Sequence, residues 1–222
     1  MSADFATVRL ALMEDGRTIA SERFAITLFS LPAEVRRYVD PTRRVVTPGY
    51  RRLANAAIAT GEANLTMERT GGEGGIHRIC RDTSPAAVAR CDSLELTLRS
   101  DRPGALTCLS LGADDEFFVL APPGAAGPPV RIEAGRPLTL PSALGEVPGG
   151  GTIVWPPRPP AGNALVMCLL YARAADVPLE SLRRFSGRVL SPDEVERVID
   201  VLRRRAPLDG SWSVVNIVEK DT

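Results

Sequence analysis

Apolar and polar positions alternate with a period of two over many short stretches of this chain, and Gly, Pro or acidic turns separate them. That period belongs to strands with one face against a core. Residues 6–29 read as a hairpin. Val8, Leu10 and Leu12 share a face of its first arm, Asp15-Gly16 is the turn, and Phe24, Ile26 and Leu28 share a face of the second. Residues 30–48, broken by Pro32, Pro41 and Pro48, read as loop with a short helical turn at 33–38. Leu53, Ala57 and Ile58 have helical spacing in a segment that stops at Gly61. ANLTMERT at 63–70 reads as a strand, and GGEGG at 71–75 as a flexible loop, because so many glycines specify no packed conformation.

From residue 92 the pattern sharpens. Leu94, Leu96 and Leu98 alternate inward; then Leu106, Cys108 and Ser110 share one face of a strand, with Leu109 and Leu111 on the other. ADDE at 113–116 is a turn into FFVLA, a strand that stops at Pro122 and Pro123. Ala134-Gly135 turns the chain into a short strand closed by Pro141, GEVPGGG is loop, and TIVWPPRPP is a strand running into a polyproline-like stretch. ALVMCLLYA at 164–172 is apolar on both faces, which predicts a central strand covered on both sides.

One capped helix follows over 191–205. Ser191 suits the N-cap, Pro192 the first helical position, and Glu194 completes a capping box. Val195, Val198, Ile199 and Leu202 form its apolar stripe, and Arg203, Arg204 and Arg205 sit where positive charge suits the helix dipole. In the closing strand, Trp212, Val214, Asn216 and Val218 lie on one side and Val215 and Ile217 on the other. The predicted fold class is mainly β with α, a β-rich α+β chain: an antiparallel β-sandwich or partial barrel with one C-terminal helix. Residues 1–91 hold the hairpin and an irregular, partly helical region, either separate or part of the same fold. Residues 92–222 form a sandwich-like module.

Composition narrows the function classes. The chain has 222 residues, 44% of them hydrophobic, enough for a packed core. Its 27 basic and 27 acidic residues cancel, so no net field recruits nucleic acid or an anionic membrane. No apolar run reaches ~18 residues, which predicts no membrane span. The N-terminal MSADFATVRL lacks a signal-peptide pattern. Two compartments fit: the cytoplasm, or a periplasmic or otherwise exported site with the signal removed, and the second is favoured. Cys80 and Cys91 flank a polar segment and are the candidate disulfide; four reduced cysteines are the other reading. Cys108 and Cys168 lie inside apolar strand patterns and read as free core residues.

The chemistry-bearing residues are few. His77 is the only histidine and Lys220 the only lysine, and no Cys-x-x-Cys, His-x-x-x-His or Gly-x-Ser-x-Gly spacing is present. No catalytic, cofactor-binding or metal-ligating residue is therefore predicted. His77 itself reads as a loop residue leading into a strand. Two alternatives remain: a cysteine-dependent hydrolase pairing His77 with Cys80 or Cys91, and a small-ligand or carbohydrate-binding sandwich using Trp155, Tyr171 or Trp212. The candidate interaction surface is Asp114, Asp115 and Glu116 of the acidic turn with Trp155 and Arg158 of WPPRPP. Arg36, Arg37, Arg43, Arg44, Arg51 and Arg52 read as solvated and paired with acids, since few aromatics accompany them for stacking on nucleic acid.

Residues 92–219 carry a run of motifs: LELTLRSDRPG, ALTCLSL, EFFVLAPP, IEAGRPLTLP, PAGNALVMCLLYA, the capped helix and SWSVVNIVE. Together they resemble the bacterial domain of unknown function 4384 family, with LAPP standing where that family commonly has Phe-Pro-Asn. The resemblance implies a non-catalytic accessory module of bacterial proteins, sometimes fused to caspase-like peptidases or protein kinases, often in exported or envelope settings. The function expected from it is protein–protein interaction or sensing, with another protein or an envelope component as partner and no catalytic residues to transfer.

Overall fold

The alternation at 6–29 becomes an antiparallel hairpin, β1 (Phe5–Glu14) and β2 (Arg17–Thr27), with Val8 opposite Phe24 and a register shift after Leu12. The computed structural model describes residues 5–14, 17–27, 49–70, 76–79, 93–147, 151–156 and 160–218; at 5–27, 76, 146–147 and 151–152 only the backbone is described. The expectations for 33–38, GGEGG, the Cys80–Cys91 pair and Arg158 lie outside the described residues. The chain divides into two compact units, residues 1–48 with the hairpin and residues 49–222.

The second unit begins with a short helix, α1 (Gly49–Ala54), then β3 (Leu65–Thr70), β4 (Ile76–Arg78), β5 (Glu95–Ser100), β6 (Gly104–Leu111) and β7 (Glu116–Ala121). Next come β8 (Val130–Ile132), β9 (Leu138–Leu140), β10 (Glu146–Val147), β11 (Gly151–Thr152) and β12 (Gly162–Tyr171). The chain ends with α2 (Leu179–Arg183), β13 (Arg188–Val189), α3 (Pro192–Arg203) and β14 (Asp209–Val218). The larger sheet runs β13-β7-β6-β12-β14-β4, and β8 joins the start of β6 on the edge that β7 occupies further along. The smaller sheet runs β3-β5-β9. Every described pairing is antiparallel except β4 with β14. The sheets do not close into a barrel, and the fold is of the β-rich α+β class.

β12 shows why the strand pattern was continuous rather than alternating. Leu165, Met167, Leu169 and Tyr171 point into a core built with Leu53 of α1, Leu182 of α2 and Val195, Val198, Ile199 and Leu202 of α3. Ala164, Val166, Cys168 and Leu170 point the other way, into a core shared with Leu96 and Leu98 of β5 and Leu140 of β9. Helices cover one face of the large sheet and the small sheet covers the other, so both sets of β12 side chains leave water. Each fully buried leucine contributes about 1.5–3 kcal/mol relative to exposure. The capped helix forms as its sequence predicts: Ser191 Oγ accepts from Glu194 N, and the Glu194 carboxylate accepts from Ser191 N at 2.9 Å.

Three expectations are corrected. GEVPGGG reads as loop, yet Glu146–Val147 pairs with Gly151–Thr152 as a small ladder. The strand expected to continue from Thr152 toward Trp155 instead leaves regular structure. Trp155 N donates to Ser93 Oγ at 3.2 Å, and Leu94 N donates to Trp155 O at 3.0 Å. Cys108 and Cys168 are not free: they form a disulfide, with Cα atoms 4.1 Å apart. The β6–β12 register sets them directly opposite each other on one face, and nothing local in either strand encodes that register. Among the described residues, no helix is long and apolar enough to cross a membrane.

Candidate functional site

The inner face of the large sheet is not wholly covered by the smaller one. Where cover is missing, a cavity of about 270 Å³ lies against the strands. Val166 of β12, Val215 and Ile217 of β14 and Phe118 and Leu120 of β7 supply its apolar surface. Phe118 and Leu120, two residues apart, share one face of β7; β7 then carries one more residue than β6, with Leu109 paired to Val119 and Cys108 to Ala121, so Ala121 turns to the same side. The remaining wall is Leu94 and the irregular segment from Ile153 to Pro156, which carries Trp155, 9% exposed.

Four polar side chains join this lining: His77, Ser110, Asp114 and Glu116. His77 lies in β4, opposite Ile217 of the parallel neighbour β14, and is fully buried. It is thus a strand residue, not the loop residue its glycine-rich approach suggests. Ser110 sits near the end of β6, between Phe118 of β7 and Val166 of β12. Among the described residues no side chain or backbone group hydrogen-bonds its hydroxyl. Other hydroxyls near these strands are engaged. Thr107 Oγ1 donates to Ala121 O at 3.0 Å, and Ser186 Oγ accepts from Val119 N at 3.1 Å.

The acidic turn divides its carboxylates between two tasks. Gly112 N donates to Glu116 O at 2.8 Å, and Asp115 sits in the left-handed region at φ 64°, which Asp tolerates. Asp114 Oδ1 accepts from Glu116 N at 3.1 Å, holding the turn closed. Asp115 Oδ1 instead accepts from Gly49 N at 3.1 Å, at the start of α1. Of the five residues marked by sequence as an interaction surface, the structure brings Asp114, Glu116 and Trp155 to one cavity. It places Asp115 outside the lining, and Arg158 lies outside the described residues. Asp114 and Glu116 are half-buried rather than freely solvated.

The three aromatics of the ligand-binding alternative do not converge. Tyr171 is fully buried on the helix-covered face, and its hydroxyl has no hydrogen-bond partner among the described residues. Burial pushes that phenol well above its ordinary pKa, against a smaller opposing effect of Arg205. Trp212 stands opposite Met167 on the same face of the sheet, but on β14, and is 49% exposed. Only Trp155 reaches the cavity. Of the arginines read as paired, Arg52 meets Glu196 at 2.6 Å.

Sequence reasoning did not mark Ser110 as a site at all, and it weighed His77 only as a partner for Cys80 or Cys91, not as a buried strand residue lining a cavity. The signal for Ser110 was present: a single hydroxyl on the Leu106–Cys108 face of an apolar strand. His77 gave none, since β4 is three residues long and its parallel partner lies at the far end of the chain. Among the described residues, no group of three His, Cys, Asp or Glu side chains is placed to hold a metal ion. No Lys or Arg joins the described lining. Comparison of the chain with protein-family models, curated proteins and solved structures finds no match.

Proposed function

We propose that this chain is a non-catalytic bacterial accessory module that senses or docks by admitting a small ligand to the cavity on the part of its large sheet that the small sheet leaves uncovered. The observation that carries the reading is the lining itself: a mostly apolar pocket, walled by Trp155, with a few polar groups set into it. That is the common make-up of a ligand site. The resemblance of residues 92–219 to an accessory family points the same way. The Cys108–Cys168 bond supports an exported or envelope setting, because disulfides persist where the surroundings are oxidising.

The hydrolase alternative needs the His77 imidazole beside a thiolate of Cys80 or Cys91, and both cysteines lie outside the described residues. A thiol-reactivity profile separates the two readings, since a catalytic cysteine reacts fast and at low pKa. The direct test is a fragment screen followed by amide NMR. Binding at the proposed site moves the resonances of Ser110, Val166 and the Trp155 indole together. Hydrolysis by the purified protein that His77→Ala abolishes would overturn the proposal.

A further inference from the structure

We infer that the cavity takes a neutral, largely apolar ligand carrying one hydrogen-bonding group, and that the Ser110 hydroxyl is the residue that recognises that group. This rests on the ligand-binding reading of the same cavity.

The size comes first. A volume of about 270 Å³ lies just below the ~300–1,000 Å³ of sites for drug-sized ligands. Filled at interior packing density of ~0.74, it holds a molecule of roughly a dozen heavy atoms. A sugar ring seated in it would set its many hydroxyls against Val166, Ile217, Phe118 and Leu120 without partners. A compact aromatic or alicyclic molecule meets those side chains and the Trp155 ring on its own terms.

The polar requirement follows from Ser110. Its hydroxyl is half-buried, lines the cavity and meets no hydrogen-bonding partner among the described residues, while Thr107 and Ser186 nearby are satisfied. That oxygen is not among the fully buried ones, so water can reach it, and a ligand that displaces this water from the cavity must replace its hydrogen bond or lose affinity. The hydroxyl both donates and accepts, so it suits a ligand hydroxyl, carbonyl or amide. Such a single bond compensates one neutral polar group. It does not compensate an ionised group, whose removal from water costs far more. Neutral ligands are therefore selected over charged ones of the same shape.

The test uses the full chain and four probes built on one naphthalene ring: β-naphthol, naphthalene, β-naphthoate and β-naphthylmethylamine. Affinities for wild type and Ser110→Ala are read from amide NMR titrations. In wild type, β-naphthol binds about five-fold tighter than naphthalene, and both ions bind more weakly than β-naphthol. In Ser110→Ala the preference for the hydroxyl disappears while naphthalene binding persists, which also shows that the variant keeps its cavity. Equal preference for β-naphthol in the two proteins overturns the role of Ser110 and leaves the cavity reading intact. Tightest binding of the amine transfers recognition to the carboxylates of Asp114 and Glu116 and overturns the inference. Failure of all four probes to move Val166 or Trp155 overturns the cavity reading itself.

Discussion

Cys108 of β6 and Cys168 of β12 stand opposite each other in the middle of the large sheet and are joined by a disulfide across 60 residues of chain, with both side chains fully buried. A bond that closes a loop of this length restricts the unfolded chain strongly, by about 4 kcal/mol in the chain-entropy account. The Cys108→Ala/Cys168→Ala double variant is expected to lose about 2–5 kcal/mol in urea unfolding. Non-reducing peptide mapping should recover the two cysteines on one linked pair of peptides. Free thiols at both positions in oxidised, folded protein would refute the pairing.

Tyr171 is a core residue with an unsatisfied phenol. Tyr171→Phe removes the hydroxyl and keeps the ring. It should leave stability unchanged or raise it by roughly 1 kcal/mol, because an unpartnered buried polar group is unfavourable. The phenol pKa is raised on folding, so its contribution is complete below the unfolded value of about 10 and is lost as pH rises through the folded value. Alkaline unfolding of Tyr171→Phe should therefore begin at higher pH than that of wild type. An unchanged alkaline midpoint would show that Tyr171 ionises freely in the folded protein.

Gly104 opens β6 against the last residue of β12. A Cβ built there lies 2.5 Å from Tyr171 O and 2.7 Å from Leu170 Cδ1. The first is backbone, held by the pairing of Tyr171 with Ala105, so it cannot swing aside as a side-chain tip does. Gly104→Ala should destabilise by about 1–3 kcal/mol, read as a lower denaturant midpoint at unchanged slope.

The capping box makes an acid-side prediction. The Glu194 carboxyl is held below its ordinary pKa first by the Ser191 backbone N–H, then by the Ser191 side chain and the Arg188 charge, with burial acting against them. A depressed carboxyl contributes stability that is present above its unfolded pKa of about 4.3 and is lost as pH falls through the folded value. Carbon-detected NMR titration should show Glu194 titrating below the ordinary glutamate value. Ser191→Ala should raise it only in part, because the residue-191 backbone N–H stays in place, and should lower stability by about 1 kcal/mol at neutral pH.

The two tryptophans report on different surfaces. Trp155 is 9% exposed at the cavity, and Trp212 is 49% exposed on β14. Trp212→Phe should leave blue-shifted emission that acrylamide quenches poorly, and Trp155→Phe should leave the reverse. Ligands of the cavity should change the emission of the first variant and not the second.

These residues also mark how far the sequence could be read. Leu96 and Leu98 of β5, the doubly apolar β12 and the Ser191–Glu194 cap were legible because each depends on a local period or a spacing of three. Part of the site was legible too: Asp114 and Glu116 stand out in a turn, and Trp155 stands out before two prolines, although the segment that carries it reads as a strand and is irregular. Asp115 shows the limit. It is chemically like its neighbours, yet it serves α1, because φ 64° in the turn separates its direction from theirs.

The sequence by itself determined the long strands, which of their faces are apolar and where the long helix begins, since these follow from side-chain period and backbone preference over a few residues; the short strands β4, β10 and β11 carry too few residues to show a period. The tertiary structure alone decided the strand order and register. Those placed Cys168 against Cys108, brought His77 in parallel beside Ile217, and left Ser110 facing a cavity that the small sheet does not fill. The physical reason is that pairing and cover are set by the joint burial of many distant side chains, and no single stretch of chain contains that information.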